Sequence, residues 1–441
     1  MRELHLSLYA EHLEDVSFLY DQRNALLTDS DVPWARLHAF EERIEAHIDA
    51  LVIGAEPALE MCRSRLEEGD PGELYAAVCV FCRSKASILL EEIWRKLDFS
   101  NPARVRAVTE ALKLELPGQW QQSIEQALMQ ADDRLLPILA IVCGSRRLPV
   151  AEGLLTRLQA RPNLVLPQTT WALGRVCTPG PAVPALVTYS AHHDDEVKQS
   201  ALTGLLRIGE RRDLQAYHLL AQTEAWPRLA LGLSAGRSAA TVLRQCAESG
   251  RADEATLLSL GLLGDVTTVR ALCQQLNNEA LSETAALALY WITGAPLYGQ
   301  EFIAEDAVEA ELFESELLAW RETGEPPKRS DGKPFGHAVQ RLSCDPEQWQ
   351  QWLKINAHRF DPQVRYRKGE PYSLSAVLHC LLDECAPSVY RRLAYEELVI
   401  RFKCPVAFET DWRVSDQRAA LSKMGRWAMA NSEGFEVGGW H

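Results

Sequence analysis

Asp194-Asp-Glu-Val-Lys-Gln-Ser-Ala-Leu-Thr-Gly-Leu-Leu-Arg-Ile-Gly209 is the stretch that decides the fold. Val197, Ala201, Leu202, Leu205 and Ile208 recur at helical spacing and make one apolar face. Asp194 or Asp195 caps the start, because a carboxylate accepts bonds from the free N–H groups of a first helical turn. Gly209 ends the helix by supplying a left-handed backbone that other residues resist. Arg211-Arg212-Asp213 then turns the chain, and Leu214, Tyr217 and Leu220 face back from a second helix. The unit, 194–222, is a pair of helices that cannot bury its apolar faces alone.

The unit recurs. Residues 252–276 repeat it, with Gly264-Asp265 in the turn and Val269, Leu272 and Leu276 behind. Glycine follows an apolar run at Gly144, Gly174, Gly209, Gly236, Gly264 and Gly294, at steps of 30, 35, 27, 28 and 30 residues. A period in this range marks a solenoid of stacked helix pairs, which offers a long surface and usually binds rather than catalyses. Small residues such as Ala201, Ala285, Ala286 and Ala288 let neighbouring helices approach closely. The competing reading is an ordinary helical bundle with chance glycine spacing.

Outward from the repeats, four regions separate. Residues 1–100 read as an N-terminal helical region of three or four helices. Leu37, Phe40, Ile44, Ile48 and Leu51 form a stripe between Pro33 and Gly54, and one long helix is expected from Tyr75 to Leu97. Residues 101–298 hold the repeats. Residues 299–336 read as an acidic helix and linker. Nine acids fall within 301–325: Glu301, Glu305, Asp306, Glu309, Glu311, Glu314, Glu316, Glu322 and Glu325, with Arg321 the one base among them. Apolar residues interleave with them, which predicts one or two amphipathic helices with an acidic face. A loop follows over 324–336. Residues 337–441 read as a C-terminal helical region, rich in Trp and Arg, that could cap the array. No stretch shows sustained β alternation.

The 441-residue chain is 47% hydrophobic and carries a net charge of −15. That balance disfavours direct nucleic-acid binding, which runs on Lys and Arg neutralising phosphates. It suits a basic protein partner as well as plain solubility. Cys62, Cys79, Cys82, Cys143, Cys177, Cys246 and Cys273 sit in apolar runs and are expected as buried thiols of a reducing cytoplasm. The first residues lack the apolar core of a signal peptide, and no run reaches the ~20 residues that span a bilayer. Cytoplasmic localisation without membrane contact is therefore expected.

Patterns that suggest chemistry have plainer readings. Cys79-Val-Phe-Cys82 has zinc spacing, yet no second pair follows, and its apolar helix points to core. His192-His193-Asp194-Asp195-Glu196 offers metal-ligand types, but five adjacent residues at a helix start cannot converge on one ion, so a capped turn is expected. The chain has no HExxH, GxSxG, Walker A or Rossmann glycine pattern. Arg365-Tyr-Arg-Lys368 and Arg391-Arg392 read as salt-bridging surface. No catalytic residue, metal site or cofactor is assigned, and no enzymatic activity is expected.

Several segments carry a family resemblance. His12-Leu-Glu-Asp-Val-Ser-Phe-Leu-Tyr20 and Leu37-His-Ala-Phe-Glu-Glu-Arg-Ile-Glu-Ala-His-Ile-Asp-Ala-Leu51 look like the opening of a proteobacterial HEAT-like family often encoded in type VI secretion clusters beside effector genes. Thr170-Trp-Ala-Leu-Gly174 and Asp195-Glu-Val-Lys-Gln-Ser-Ala-Leu202 resemble HEAT-like repeats in general, and Arg365-Tyr-Arg-Lys-Gly-Glu-Pro371 looks like the family's C-terminal segment. The repeats here are shorter than the ~40–47 residues of HEAT units. The resemblance implies an all-α, HEAT-like α-solenoid with helical N-terminal and C-terminal capping regions.

Its genomic context implies an immunity protein that binds a secreted antibacterial effector and blocks its active site, or an adaptor that loads an effector onto the secretion machinery. A nuclease is one such target, since its active site is basic in order to hold phosphates. The expected partner is thus a cognate toxin or effector, basic in charge. The residues expected to meet it are Glu301, Glu305, Asp306, Glu309, Glu314 and Glu316, with Asp194, Asp195 and Glu196 at a repeat edge. Some HEAT-like solenoids resemble bilin lyase subunits, and others act as DNA glycosylases. The acidic composition opposes the second, and nothing in the sequence indicates a bilin pathway for the first.

Overall fold

A computed structural model describes residues 2–130, 132–176, 180–211, 214–304, 314–324, 328 and 336–440. Three helices open the chain: α1 (Arg2–Thr28), α2 (Leu37–Ile53) and α3 (Ala55–Glu68). Helix pairs follow, beginning with α4 (Pro71–Ser84) and α5 (Ser87–Lys96), then α6 (Pro102–Glu115) and α7 (Gln121–Gln130). Next come α8 (Leu136–Arg146) and α9 (Ala151–Ala160), then α10 (Pro167–Val176) and α11 (Ala182–Tyr189). The later pairs are α12 (Asp195–Arg207) with α13 (Leu214–Leu220), α14 (Arg228–Ser234) with α15 (Arg237–Glu248), and α16 (Glu254–Leu263) with α17 (Val269–Gln275). α18 (Ser282–Thr293) ends the series.

Even-numbered helices from α4 to α18 stack each on the next and form a central row, and odd-numbered helices pack outside it. The fold is all-α and repeat-like, as the sequence predicts. Side-chain caps start many of these helices. Asp70 and Glu73 form a reciprocal capping box on α4, and Asn101, Asp194 and Asp253 cap α6, α12 and α16. α4 is buried along most of its length, from Gly72 to Cys82, because it lies beneath α1 and beside α6. Each fully buried Leu, Val or Phe in this row contributes about 1.5–3 kcal/mol. The expected single helix from Tyr75 to Leu97 is two helices, broken where Lys85 takes a left-handed backbone (φ 63°).

The recurring glycines divide into two kinds. Gly209, Gly264 and Gly294 have positive φ and close their helices, as expected. Gly144 and Gly174 do not end helices; they lie inside α8 and α10. A Cβ on Gly144 would strike the Trp171 ring, and one on Gly174 would lie 2.5 Å from the Gly204 Cα of α12. Their glycine serves close helix approach rather than termination. Gly236 sits at the start of α15.

β1 (Tyr298–Ala304) follows α18, and α19 (Glu314–Thr323) precedes β2 (Gly336–Leu342). The two strands pair antiparallel, with Glu301 opposite Val339. This overturns the expectation of a helix from residue 301 and of no β structure. The strand was hidden because Phe302 and Ile303 are adjacent rather than alternating, and its hydrogen-bonding partner lies over thirty residues downstream. The rest comprises α20 (Pro346–Asn356), the short hairpin β3 (Tyr366–Arg367) and β4 (Glu370–Pro371), α21 (Leu374–Leu382), α22 (Ser388–Phe402) and α23 (Val414–Asn431). α22 packs on α12 and α14, and β3 on α18. Asp31, between α1 and α2, pairs with Arg341 of β2 at 2.6 Å, and Trp34 donates to the Asp383 carbonyl after α21. The C-terminal part therefore reaches the N-terminal helices. Cys62, Cys79, Cys82, Cys143, Cys246 and Cys273 are buried free thiols; Cys177 lies outside the described residues. No described helix is long and apolar enough to cross a membrane.

Candidate functional site

The densest chemistry lies where the central helices end. α4, α6, α8, α10 and α12 each carry a base in the last turn: Arg83, Lys113, Arg146, Arg175 and Arg207. A cation there faces the negative pole of the helix dipole. Acids complete the row. Arg83 pairs with Glu45, Asp49 and Glu115, and Arg413 with Glu45 and Glu115. Lys113 pairs with Asp411. Arg147, just past α8, meets Glu409 at 2.8 Å, and Arg146 donates to the carbonyls of Lys113 and Leu114. Arg175 bridges Glu409 and Glu396, and Arg207 meets Glu396 at 2.6 Å. Burial raises the Glu396 carboxyl, but Arg207 and Arg175 override it and hold it at about 2.

Beyond α12 the polarity of the arrangement reverses. The ends of α14 and α16 bring no base, so the C-terminal part supplies one. Arg401 donates to the carbonyls of Gly232 and Ala235, and Arg365 to those of Leu262 and Leu263. Arg367 reaches Gly261 and Leu262. Glu397 neutralises this group: it meets Arg365 at 2.9 Å and Arg367 at 2.6 Å, with Arg401 at 3.6 Å, and accepts from the Tyr372 hydroxyl. Orphan carbonyls at helix ends need donors, and a guanidinium provides several in a fixed fork. Lys368 and Gly369 close α18 with backbone bonds to Trp291 and Ile292.

Arg365 and Arg367 are 1% exposed and Arg391 0%. The reading of these basic stretches as salt-bridging surface is therefore corrected for these three, which are buried cations; Arg392 is exposed, and Lys368 is half-buried and pairs with Asp383. Arg391 stacks 3.8 Å from the Trp34 ring and donates to the Leu381 carbonyl; burial pushes its guanidinium down to about 9. The signal that could have found this row is the base closing each central helix, at steps of 30, 33, 29 and 32 residues from Arg83 to Arg207.

The acids singled out from sequence lie elsewhere. Asp194 caps α12, accepting from the N–H groups of Glu196 and Val197, so the metal-like cluster is a capped turn. Asp195 is exposed and pairs with Lys198, and Glu196 is exposed. Glu301 is on β1, exposed, and pairs with Arg341 at 3.1 Å. Glu305, Asp306 and Glu309 lie outside the described residues; Glu314 and Glu316 fall in the first turn of α19. The C-terminal part meets the C-terminal ends of the even-numbered helices from α10 to α18, so these helices share one direction. Asp194–Glu196 therefore sits at the opposite edge, about 20 Å along α12 from the row where β1 departs. Among the described residues, Asp194–Glu196 and Glu301 come from separate elements, α12 and β1.

No known protein family, characterised protein or solved structure matches this chain.

Proposed function

We propose that this chain is a protein-binding immunity factor that neutralises a type VI secretion antibacterial effector by covering its active site. The observation that carries the reading is where the described carboxylates lie. The C-terminal part covers the ends of α10 and α12 through buried ion pairs, whereas Asp195 and Glu196, at the start of α12, are exposed. Exposed carboxylates there suit a basic surface, such as a nuclease active site. Long-range charge complementarity speeds encounter and suppresses wrong partners. Glu301, exposed on β1, is a further carboxylate expected to meet the partner.

The test is affinity capture of the tagged chain from its native cells, followed by assay of the captured toxin. One stoichiometric basic effector is expected, inhibited by the wild-type chain. Asp195→Lys with Glu196→Lys is expected to weaken capture by at least about tenfold, or about 1.4 kcal/mol. Unchanged capture by that variant would move the interface elsewhere. Capture of secretion-machinery components, together with survival of toxin-producing cells that lack the gene, would instead assign an adaptor role.

A further inference from the structure

We propose that His12, Asp15 and His47 form a binding site for a first-row transition cation of the zinc class, built across the α1–α2 hairpin. The local structure places these ligands. His12 and Asp15 stand three residues apart on α1 and so share a face, while Leu13 and Val16 turn into the core. His47 projects from α2 between the buried Ile44 and Ile48. α1 packs on α2, which brings residues 35 positions apart to the rim of one seam. Both imidazoles are half-buried and Asp15 is exposed, so the seam is open to an ion from solvent.

The ligand atoms converge. The Nδ1 atoms of His12 and His47 are 2.9 Å apart, and the Asp15 Oδ2 lies 3.6 Å from the His47 Nδ1. One ligand atom of each residue lies within 4.8 Å of the others. Among the described residues, no other trio of His, Cys, Asp and Glu side chains converges in this way.

Hydrogen bonding ties the two imidazoles to each other but leaves Asp15 out. Only one of two facing nitrogens can donate to the other, and 3.6 Å is too long for a bond to Asp15. A metal ion uses all three groups. With metal–nitrogen bonds of about 2.0–2.1 Å, two ligating nitrogens lie about 2.9 Å apart at a right angle and about 3.3 Å apart at a tetrahedral one. The observed separation falls at the lower end of that window. Imidazoles with one carboxylate favour zinc, nickel, cobalt or copper over calcium and magnesium, which prefer oxygen. Three protein ligands leave a coordination position for water or for a side chain of a partner.

The test uses the full chain, stripped with chelator, then titrated with Zn²⁺ by calorimetry and with Co²⁺ by visible absorption. One equivalent of Zn²⁺ and visible Co²⁺ bands are expected. His12→Ala with His47→Ala should abolish the Co²⁺ bands and weaken Zn²⁺ binding by at least about tenfold. Asp15→Asn, a change at an exposed side chain, should weaken binding while the apo protein keeps its helical circular dichroism and urea midpoint. The chain has eleven cysteines that could take zinc on their own, so the variants rather than the wild-type stoichiometry decide. Wild-type protein without Co²⁺ bands would overturn the site, as would equal Zn²⁺ affinity in wild type and the double variant.

Discussion

Glu396 shows at one residue how the C-terminal part is held. The residue is 5% exposed, and its carboxylate lies between Arg175 and Arg207, which come from different repeats. A buried ion pair is weak evidence of net stabilisation, but removing one partner leaves an uncompensated buried charge. Glu396→Gln is therefore expected to cost about 3–5 kcal/mol, read as a fall in the urea midpoint. The pH dependence follows from the same contacts. The folded carboxyl is held at about 2 against an ordinary value of 4.5, so its contribution is fully present above about 4.5. It is lost as pH falls through 2, because protons then bind both states alike. Between pH 5 and 2 the wild type should lose about 3 kcal/mol through this group alone. Glu396→Gln should show a correspondingly flatter profile in urea melts at pH 6, 4 and 2.5. Equal slopes would place the acid sensitivity on other carboxylates.

At the scale of helices, the contact between α10 and α12 is set by missing side chains. Gly174 faces Gly204, and a Cβ on the first would lie 2.5 Å from the Cα of the second. Gly174→Ala must push two central helices apart, at about 1–3 kcal/mol, measurable as a lower thermal midpoint. Gly153→Ala on α9 is the control: its Cβ would make only ordinary contact with Met129, so no loss is expected there and the midpoint should hold or rise, by up to about 1 kcal/mol, through alanine's better helix propensity. This pair also shows what the sequence could and could not disclose. The helical period was legible because apolar spacing and caps are local. Gly209, Gly264 and Gly294 could be read as helix ends because a left-handed backbone needs glycine whatever lies around it. Gly144 and Gly174 follow the same apolar runs, but only a neighbouring helix reveals that they serve close approach. Tyr298–Ala304 fails for a related reason, since a strand paired far along the chain has no local period to betray it. Arg365 and Arg367 read as surface because charge is normally solvated; their carbonyl acceptors on α16 and their counter-ion Glu397 come from distant segments. His12 and His47 each lie in a stretch whose helical pattern is legible, but their convergence depends on how α1 and α2 pack.

Across the whole molecule, the C-terminal part changes the kind of cooperativity expected. In a simple repeat array each unit touches only its neighbours, so stability is a sum of local terms and the ends fray first. Here Asp411 pairs with Lys113 of α6 and accepts from Arg23 of α1, Glu409 meets Arg147 and Arg175, Glu396 meets Arg175 and Arg207, and Lys368 and Gly369 cap α18. One stretch of chain thus ties the first helix to the last. Hydrogen exchange of the full chain should show α4 to α18 opening together, rather than protection decaying from either end. Glu409→Gln tests the tie without shortening the protein. It removes a buried partner shared by Arg147 and Arg175, so exchange should accelerate in α8, α10 and the segment around residue 409 together. A chain ending at residue 356 makes the stronger test. It leaves Arg175 and Arg207 without their carboxylates and the carbonyls of α14 and α16 without donors, while apolar surface of the central row becomes exposed. That chain is expected to aggregate, or to keep helical circular dichroism without a cooperative melt. If it instead melted sharply at the full chain's midpoint, the repeats would be self-sufficient and the C-terminal part an appendage.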